Sequence, residues 1–328
     1  MPRPRWKPPQ VLFRAGDVAV GPDVLRRAEA RGDLVRLQRG VYLAAGQVPD
    51  DAVHLHLVRA TAVQMVRPGL IASHQTAALA HGLPLLDSRA ADGDLTFTRP
   101  RGPNARFQTA PRVVVRDLPR GSVQELPLPL GDLRVTTATR TALDLACELP
   151  LAEALMATDH VARRAAGEFL VSGQLRGRLN ERARQLAIAQ LLEAQVDARH
   201  HRSGPMLALS LTDARRESPG ESVSFGRIVA AGLPTPECQH PFRLATGVVH
   251  VDFWWEEFGL VGECDGKVKY DGTFGADDGV LVAEADRYHG LLTAGADVVR
   301  WRAADMMYRP TPVLARVADR LRANGWRG

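Results

Sequence analysis

The sequence predicts a mixed α/β (α+β) protein of more than one domain. Three observations carry that reading. Segments with apolar residues at three- and four-residue spacing, such as 54–66 and 139–149, alternate with short β-branched runs at 95–98, 112–116 and 133–136. The chain has 328 residues, 45% hydrophobic and 24% charged, which is ordinary for a globular protein and enough for two or three cores. Residues 248–270, VVHVDFWWEEFGLVGECDGKVKY, alternate with period two on either side of Glu256-Glu257-Phe258-Gly259. That pattern predicts two strands closed by a tight turn.

Composition narrows the function classes. The net charge is +5 and the pI near 9.5, with the excess carried by arginine, which favours a polyanionic partner such as nucleic acid. Only 5% of residues are aromatic, which argues against a platform for stacking single-stranded bases. Cys147, Cys238 and Cys264 include no C-x-x-C pair and are odd in number. A disulfide framework or zinc ribbon is therefore not expected, and a reducing cytoplasm is. No stretch approaches 18 uninterrupted apolar residues, so no membrane span is expected.

Residues 1–10, MPRPRWKPPQ, are rich in Pro and Arg and read as a mobile basic arm; they lack the apolar region of a secretory signal. Pro22 and Asp23 start a helix with Val24, Leu25 and Ala28 on its apolar side, and Gly32 ends it. Leu34, Val35 and Leu37 predict a strand, Gln38-Arg39-Gly40 a turn and Val41-Tyr42-Leu43 a return strand. A helix followed at once by a basic hairpin resembles a winged helix-turn-helix. The stretch RGDLVRLQRGVYL is similar to the N-terminal domain of AbiEi-type antitoxins. The resemblance implies contact with double-stranded DNA through Arg26, Arg27 and Arg31 on the helix and Arg36 and Arg39 on the wing. It also brings in a cognate toxin as a partner, whereas self-association is not readable from the sequence.

Residues 51–165 read as one α/β unit. An amphipathic helix is expected at 54–66, a second beginning at Ser73 as N-cap, and a third capped by Thr139. The segments SHQTAALAHGL and TTATRTALDLA resemble the middle of AbiEi-like proteins. His74 and His81 lie seven apart, which is not metal-ligand spacing, and read as caps or core histidines. Arg140 and Asp144, at i and i+4, predict an intrahelical ion pair. Residues 166–215 read as a helical connector interrupted at Gly167, Gly173 and Gly177.

A last domain is expected over 216–328. Ser218-Pro219-Gly220-Glu221 is a capping box, with Ser at N-cap, Pro at N1 and Glu at N3. The element order that follows is α-β-β-β-α-β-α. If Trp255 pairs with Leu260, Asp252 falls opposite Glu263, and cross-strand Cβ atoms are about 4.5–5.5 Å apart. Asp265, Lys267 and Lys269 continue that face at two-residue steps, leaving the other face apolar. Close carboxylates repel unless an ion sits between them, which suits Mg²⁺ or Mn²⁺. The chain has only three lysines, Lys7, Lys267 and Lys269, so two of them follow the carboxylates directly. A solvated charged strand face is the alternative.

Asp252, Glu263 and a nearby lysine resemble the PD-(D/E)XK nuclease superfamily, and VDF…ECDGKVKY looks most like its Vsr-like branch. The resemblance covers residues 216–322 and implies a restriction-endonuclease-like fold. It further implies Asp252 and Glu263 as metal ligands, Asp265 as an outer ligand, and Lys267 or Lys269 at the scissile phosphate. Glu221, or Glu217 just before the cap, would add an acid from the first helix. The position two after Glu263, usually Lys in that superfamily, is Asp265 here. Two readings follow: a DNA-binding endonuclease, or an antitoxin-type regulator retaining an inactive nuclease fold. An RNA-acting enzyme would share the same metal chemistry. Arg287 and Arg300 are expected to face nucleic acid, or Arg287 to pair with Glu284 or Asp286.

Overall fold

The computed structural model describes residues 6–86, 90–100, 108–109, 112–116, 118–119, 121–168, 204–245, 247–266 and 278–328. The fold is mixed α/β, with three sheets. Two compact units form, one ending at Leu145 and the other beginning at Ala146.

In the N-terminal unit, β1 (Phe13–Arg14), β2 (Leu34–Gln38) and β3 (Val41–Ala44) form an antiparallel sheet in the order β1-β3-β2. Helix α1 (Pro22–Ala30) has Pro at its first turn and buries Leu25 and Ala28 against Phe13, Leu34 and Tyr42. The element before it is a single 3-10 turn, Ala15–Asp17. Residues 6–50 therefore present one full helix and a hairpin, not the helix pair that a helix-turn-helix needs. The expected mobile arm is partly tied down: Trp6 packs edge-on to Phe13, centroids 6.3 Å apart.

Helix α2 (Ala52–Val66) starts at Asp51, which accepts the His54 NH at 2.8 Å. It is not amphipathic. Val58 and Ala62 pack with Val41 and Leu43 of the small sheet, while Leu57, Ala60 and Val63 pack with Phe97, Leu133 and Val135. A helix buried on two sides loses the one-sided pattern. It also joins the small sheet to the middle segment, so a boundary at residue 50 separates no cores.

The large sheet has the order β6-β7-β5-β4-β9-β8, with β4 (Ile71–Ala72), β5 (Thr96–Pro100), β6 (Gln108–Thr109), β7 (Arg112–Arg116), β8 (Val123–Leu126) and β9 (Leu133–Thr136). Ser73 precedes α3 (His74–His81), but its hydroxyl meets His74 Nδ1 at 2.9 Å instead of capping the helix. His74 is buried in a left-handed conformation (φ 48°), and His81 meets the Thr136 carbonyl at 2.6 Å. Helix α4 (Ala138–Ala146) is capped by Thr137, whose hydroxyl accepts the Arg140 NH, and not by Thr139. Arg140 and Asp144 form the expected ion pair, buried, at 3.0 Å.

The C-terminal unit opens with α5 (Leu151–Glu168), which runs through Gly167 without a break. It packs against α7 (Pro219–Ala230) within this unit, where the sequence assigns residues 151–165 to the middle segment. The reason is a close crossing: a Cβ on Gly226 would stand 2.4 Å from the Ala152 Cα. The junction is pinned by Arg216, whose Nε and Nη2 donate to Asp159 at 2.6 and 2.7 Å. Asp159 also accepts the Asp213 NH, just beyond α6 (Gly204–Leu211). Most of the expected connector lies outside the described residues.

The sheet of this unit has the order β10-β11-β12-β13, formed by β10 (Glu237–Leu244), β11 (Gly247–Trp255), β12 (Leu260–Asp265) and β13 (Asp297–Arg302). β12 and β13 are parallel, joined through α8 (Asp278–Thr293); the other pairs are antiparallel. Two helices close the chain, α9 (Ala303–Tyr308) and α10 (Pro310–Ala323), where the sequence suggests one. Val251, Val261 and Val298 bury against Leu291 of α8. On the other face, Trp301 stacks on Phe253 and donates its indole NH to Ser224 of α7 at 2.9 Å. Helices pack on both faces, which does not fit the alternative reading of a solvated charged strand face. Among the described residues no helix is long and apolar enough to cross a membrane.

Candidate functional site

The hairpin forms in the anticipated register, with Trp255 opposite Leu260, Trp254 opposite Val261 and Phe253 opposite Gly262. Asp252 and Glu263 occupy the next position, where the paired register stops. There Asp252 Oδ2 accepts the Cys264 backbone NH at 2.8 Å. Its Oδ1 accepts from the Gln239 carboxamide at 3.2 Å, and the same Nε2 donates to Glu221 Oε2 at 3.1 Å. Gln239 thus bridges two acids while its own backbone is left-handed (φ 54°). A non-glycine residue there stores strain that its surroundings must offset, a feature that concentrates at functional sites.

Glu221 serves both as cap and as neighbour of the site. Its NH donates to Ser218 Oγ at 3.2 Å, and its carboxylate accepts from Ser218 Oγ and the Glu217 NH, both at 2.8 Å. Glu263 is 5% exposed, and its Oε1 accepts from Arg287 Nη2 at 2.8 Å. The same nitrogen donates to the His250 carbonyl at 2.7 Å. Arg287 therefore reaches Glu263 from the cleft wall; the side chain of Glu284, one of its expected partners, lies outside the described residues. Arg300 lies beside Glu263 in the parallel ladder, its guanidinium 5.5 Å from the Tyr288 ring centroid.

Burial, and then the charge of Glu221, push Asp252 up to about 7, against the opposing Cys264 NH and Arg287. Glu263 is pushed up to about 8, by burial and then by Asp252, despite Arg287 and Arg300. Burial also raises Glu221. The Cys264 thiol, accepting from Ser224 at 3.5 Å, is pushed up to about 12, so it is a packing residue and not a nucleophile. Glu217, Gln239, Val248, Val249, His250, Asp252 and Arg287 line a cleft of about 350 Å³.

Asp265, named from sequence as an outer ligand, is exposed at the end of β12 and acts on Glu263 through its charge. Lys267 and Lys269 lie outside the described residues. Among the described residues no three His, Cys, Asp or Glu side chains form a ready-made metal cage. The donors that meet at the cleft nonetheless suit a hard divalent cation. They are carboxylate oxygens withdrawn from water, whose protons burial favours and a bound cation would displace.

In the N-terminal unit Arg26, Arg27, Arg31, Arg36 and Arg39 are all exposed. Arg26 pairs with Asp23, Arg27 Nε donates to the Asp23 carbonyl at 3.1 Å, and Arg31 pairs with Asp33 at 2.8 Å. Such exposed pairs are worth about 0–1 kcal/mol and yield readily to a phosphate. Two residues were missed from sequence: Gln239, whose left-handed backbone leaves no sequence signature, and Arg287 as partner of Glu263. Comparison with protein-family models finds no match, and neither does comparison with curated proteins.

Proposed function

We propose that this protein binds double-stranded DNA and that its C-terminal unit is a magnesium-dependent endonuclease. One observation carries the reading: Asp252, Glu263 and Glu221, from two strands and a helix start, form one coupled acidic group beside a cleft. The sheet order, the helix ahead of it and the crossover helix fit the Vsr-like PD-(D/E)XK resemblance. Bound Mg²⁺ or Mn²⁺ supplies charge neutralisation at the phosphate and a more acidic water. Asp252 and Glu263 would hold the ion, with Asp265 as an outer ligand. Gln239 keeps Asp252 and Glu221 in fixed orientations. On that resemblance, Lys267 or Lys269 would act on the scissile phosphate. The exposed arginines of α1 and the β2–β3 hairpin bind the DNA backbone. Three cysteines outside any disulfide fit a cytoplasmic setting.

A second reading, an antitoxin-type regulator with an inactive nuclease fold and a cognate toxin, is favoured by two observations. Asp265 stands where the superfamily carries lysine, and Arg287 already occupies Glu263. Soaking crystals in Mn²⁺ tests the first reading. Anomalous density between Asp252 and Glu263 supports it; density absent at saturating Mn²⁺ overturns it.

A further inference from the structure

Arg287 hydrogen-bonds to the buried acid of this site. Its Nη2 spans Glu263 Oε1 at 2.8 Å and the His250 carbonyl at 2.7 Å. Its side chain is 31% exposed and lines the cleft, whereas that of Glu263 is 7% exposed. The guanidinium is therefore placed to leave toward solvent, and the carboxylate is not. A buried acid left without a hydrogen-bonding partner is costly, and in the metal-free fold α8 supplies Arg287 as that partner for Glu263.

We propose that Arg287 is a built-in counter-cation that holds Glu263 until a divalent ion replaces it, so that ion entry and release of Arg287 into the cleft are a single exchange. This rests on the metal-site reading above. The exchange involves no covalent step. The ion takes Glu263, and the freed guanidinium stays on the cleft wall, where a backbone phosphate offers it a new acceptor. Arg287 is a positioning residue: it sets which occupant Glu263 has, and it makes the ion compete for its ligand.

Calorimetric titration of Mn²⁺ into the full chain, without nucleic acid, tests this in wild type, Arg287→Gln, Arg287→Lys and Glu263→Gln. Losing one charge-assisted hydrogen bond as competitor corresponds to about tenfold, so Arg287→Gln is expected to bind Mn²⁺ roughly tenfold more tightly than wild type. Arg287→Lys should fall between, because an ammonium is a poorer match to two fixed acceptors. A thermal readout accompanies it. Without metal, Arg287→Gln should lower the melting midpoint, and saturating Mn²⁺ should restore it. In the Glu263→Gln background the same substitution should lower the midpoint by less than in wild type, leaving only the loss of the bond to the His250 carbonyl. If wild type binds Mn²⁺ through Asp252 but neither Arg287 variant binds more tightly, the exchange is overturned while the metal site stands. If no form binds Mn²⁺, the metal-site reading falls and the exchange falls with it. If Arg287→Gln fails to fold, Arg287→Lys decides: affinity no tighter than wild type overturns the proposal.

Discussion

Asp252 and Glu263 are acids held where their charged forms are poorly solvated, and this has a consequence for stability that can be measured without substrate. Their values in the fold, about 7 and about 8, lie above the roughly 4 of an exposed carboxylate. The metal-free fold thus keeps protons that the unfolded chain has released. For a raised acid, the stabilising contribution is complete below the unfolded value and is lost as pH rises through the folded one. The melting midpoint of metal-free protein is therefore expected to fall from about pH 5 to about pH 8, and Asp252→Asn with Glu263→Gln to flatten that fall. A wild-type midpoint that rises across the interval, unchanged by the double substitution, would contradict the buried-pair description. The register of the hairpin that carries these two acids was legible in the sequence because alternation and turn length fix it. Gln239 was not legible, since nothing local in ECQHPF marks a left-handed backbone.

At the scale of elements, the crossing of α5 and α7 decides where the C-terminal unit begins. Gly226 lets the helices touch, and Asp159 with Arg216 ties them, both side chains at most 2% exposed. Gly226→Val is expected to lower stability by about 1–3 kcal/mol through overpacking. Asp159→Ala is expected to cost about 3–5 kcal/mol, because it strands a buried guanidinium. Chemical denaturation measures both; a loss below about 0.5 kcal/mol for Asp159→Ala would show the pair to be dispensable. None of this was visible in the sequence, where residues 151–202 read only as good helix formers. A glycine that permits close approach looks like one that breaks a helix until its neighbour is known. The same limit explains α2: its apolar residues read as one stripe because the pattern does not say that two sheets claim it. β4 has two residues, too few to show any period, yet it sits at the centre of the large sheet. By contrast α1, the β2–β3 hairpin and the capping box at Ser218 were legible, because Pro, Gly and Ser at fixed offsets act locally.

For the whole molecule, the two units divide the proposed work: arginines for affinity in one, carboxylates for chemistry in the other. Binding to unmodified duplex DNA is expected to weaken steeply with salt, because each neutralised phosphate releases counterions. Replacing Arg26, Arg27 and Arg39 together by Ala should weaken binding and flatten the salt slope in a fluorescence-anisotropy titration. An unchanged slope would remove these residues from the interface. The endonuclease reading itself turns on Asp252, which touches the Cys264 backbone, Gln239 and the cleft at once. Cleavage of supercoiled duplex DNA with Mg²⁺ or Mn²⁺, by wild type and by Asp252→Ala, tests it most directly. The expected result is ion-dependent nicking or linearisation by wild type, abolished in Asp252→Ala, while DNA affinity without metal stays equal or rises with one repelling carboxylate gone. Wild-type protein that binds DNA but leaves duplex, single-stranded and mismatched substrates intact with either ion, or Asp252→Ala that cleaves as fast as wild type, would contradict it.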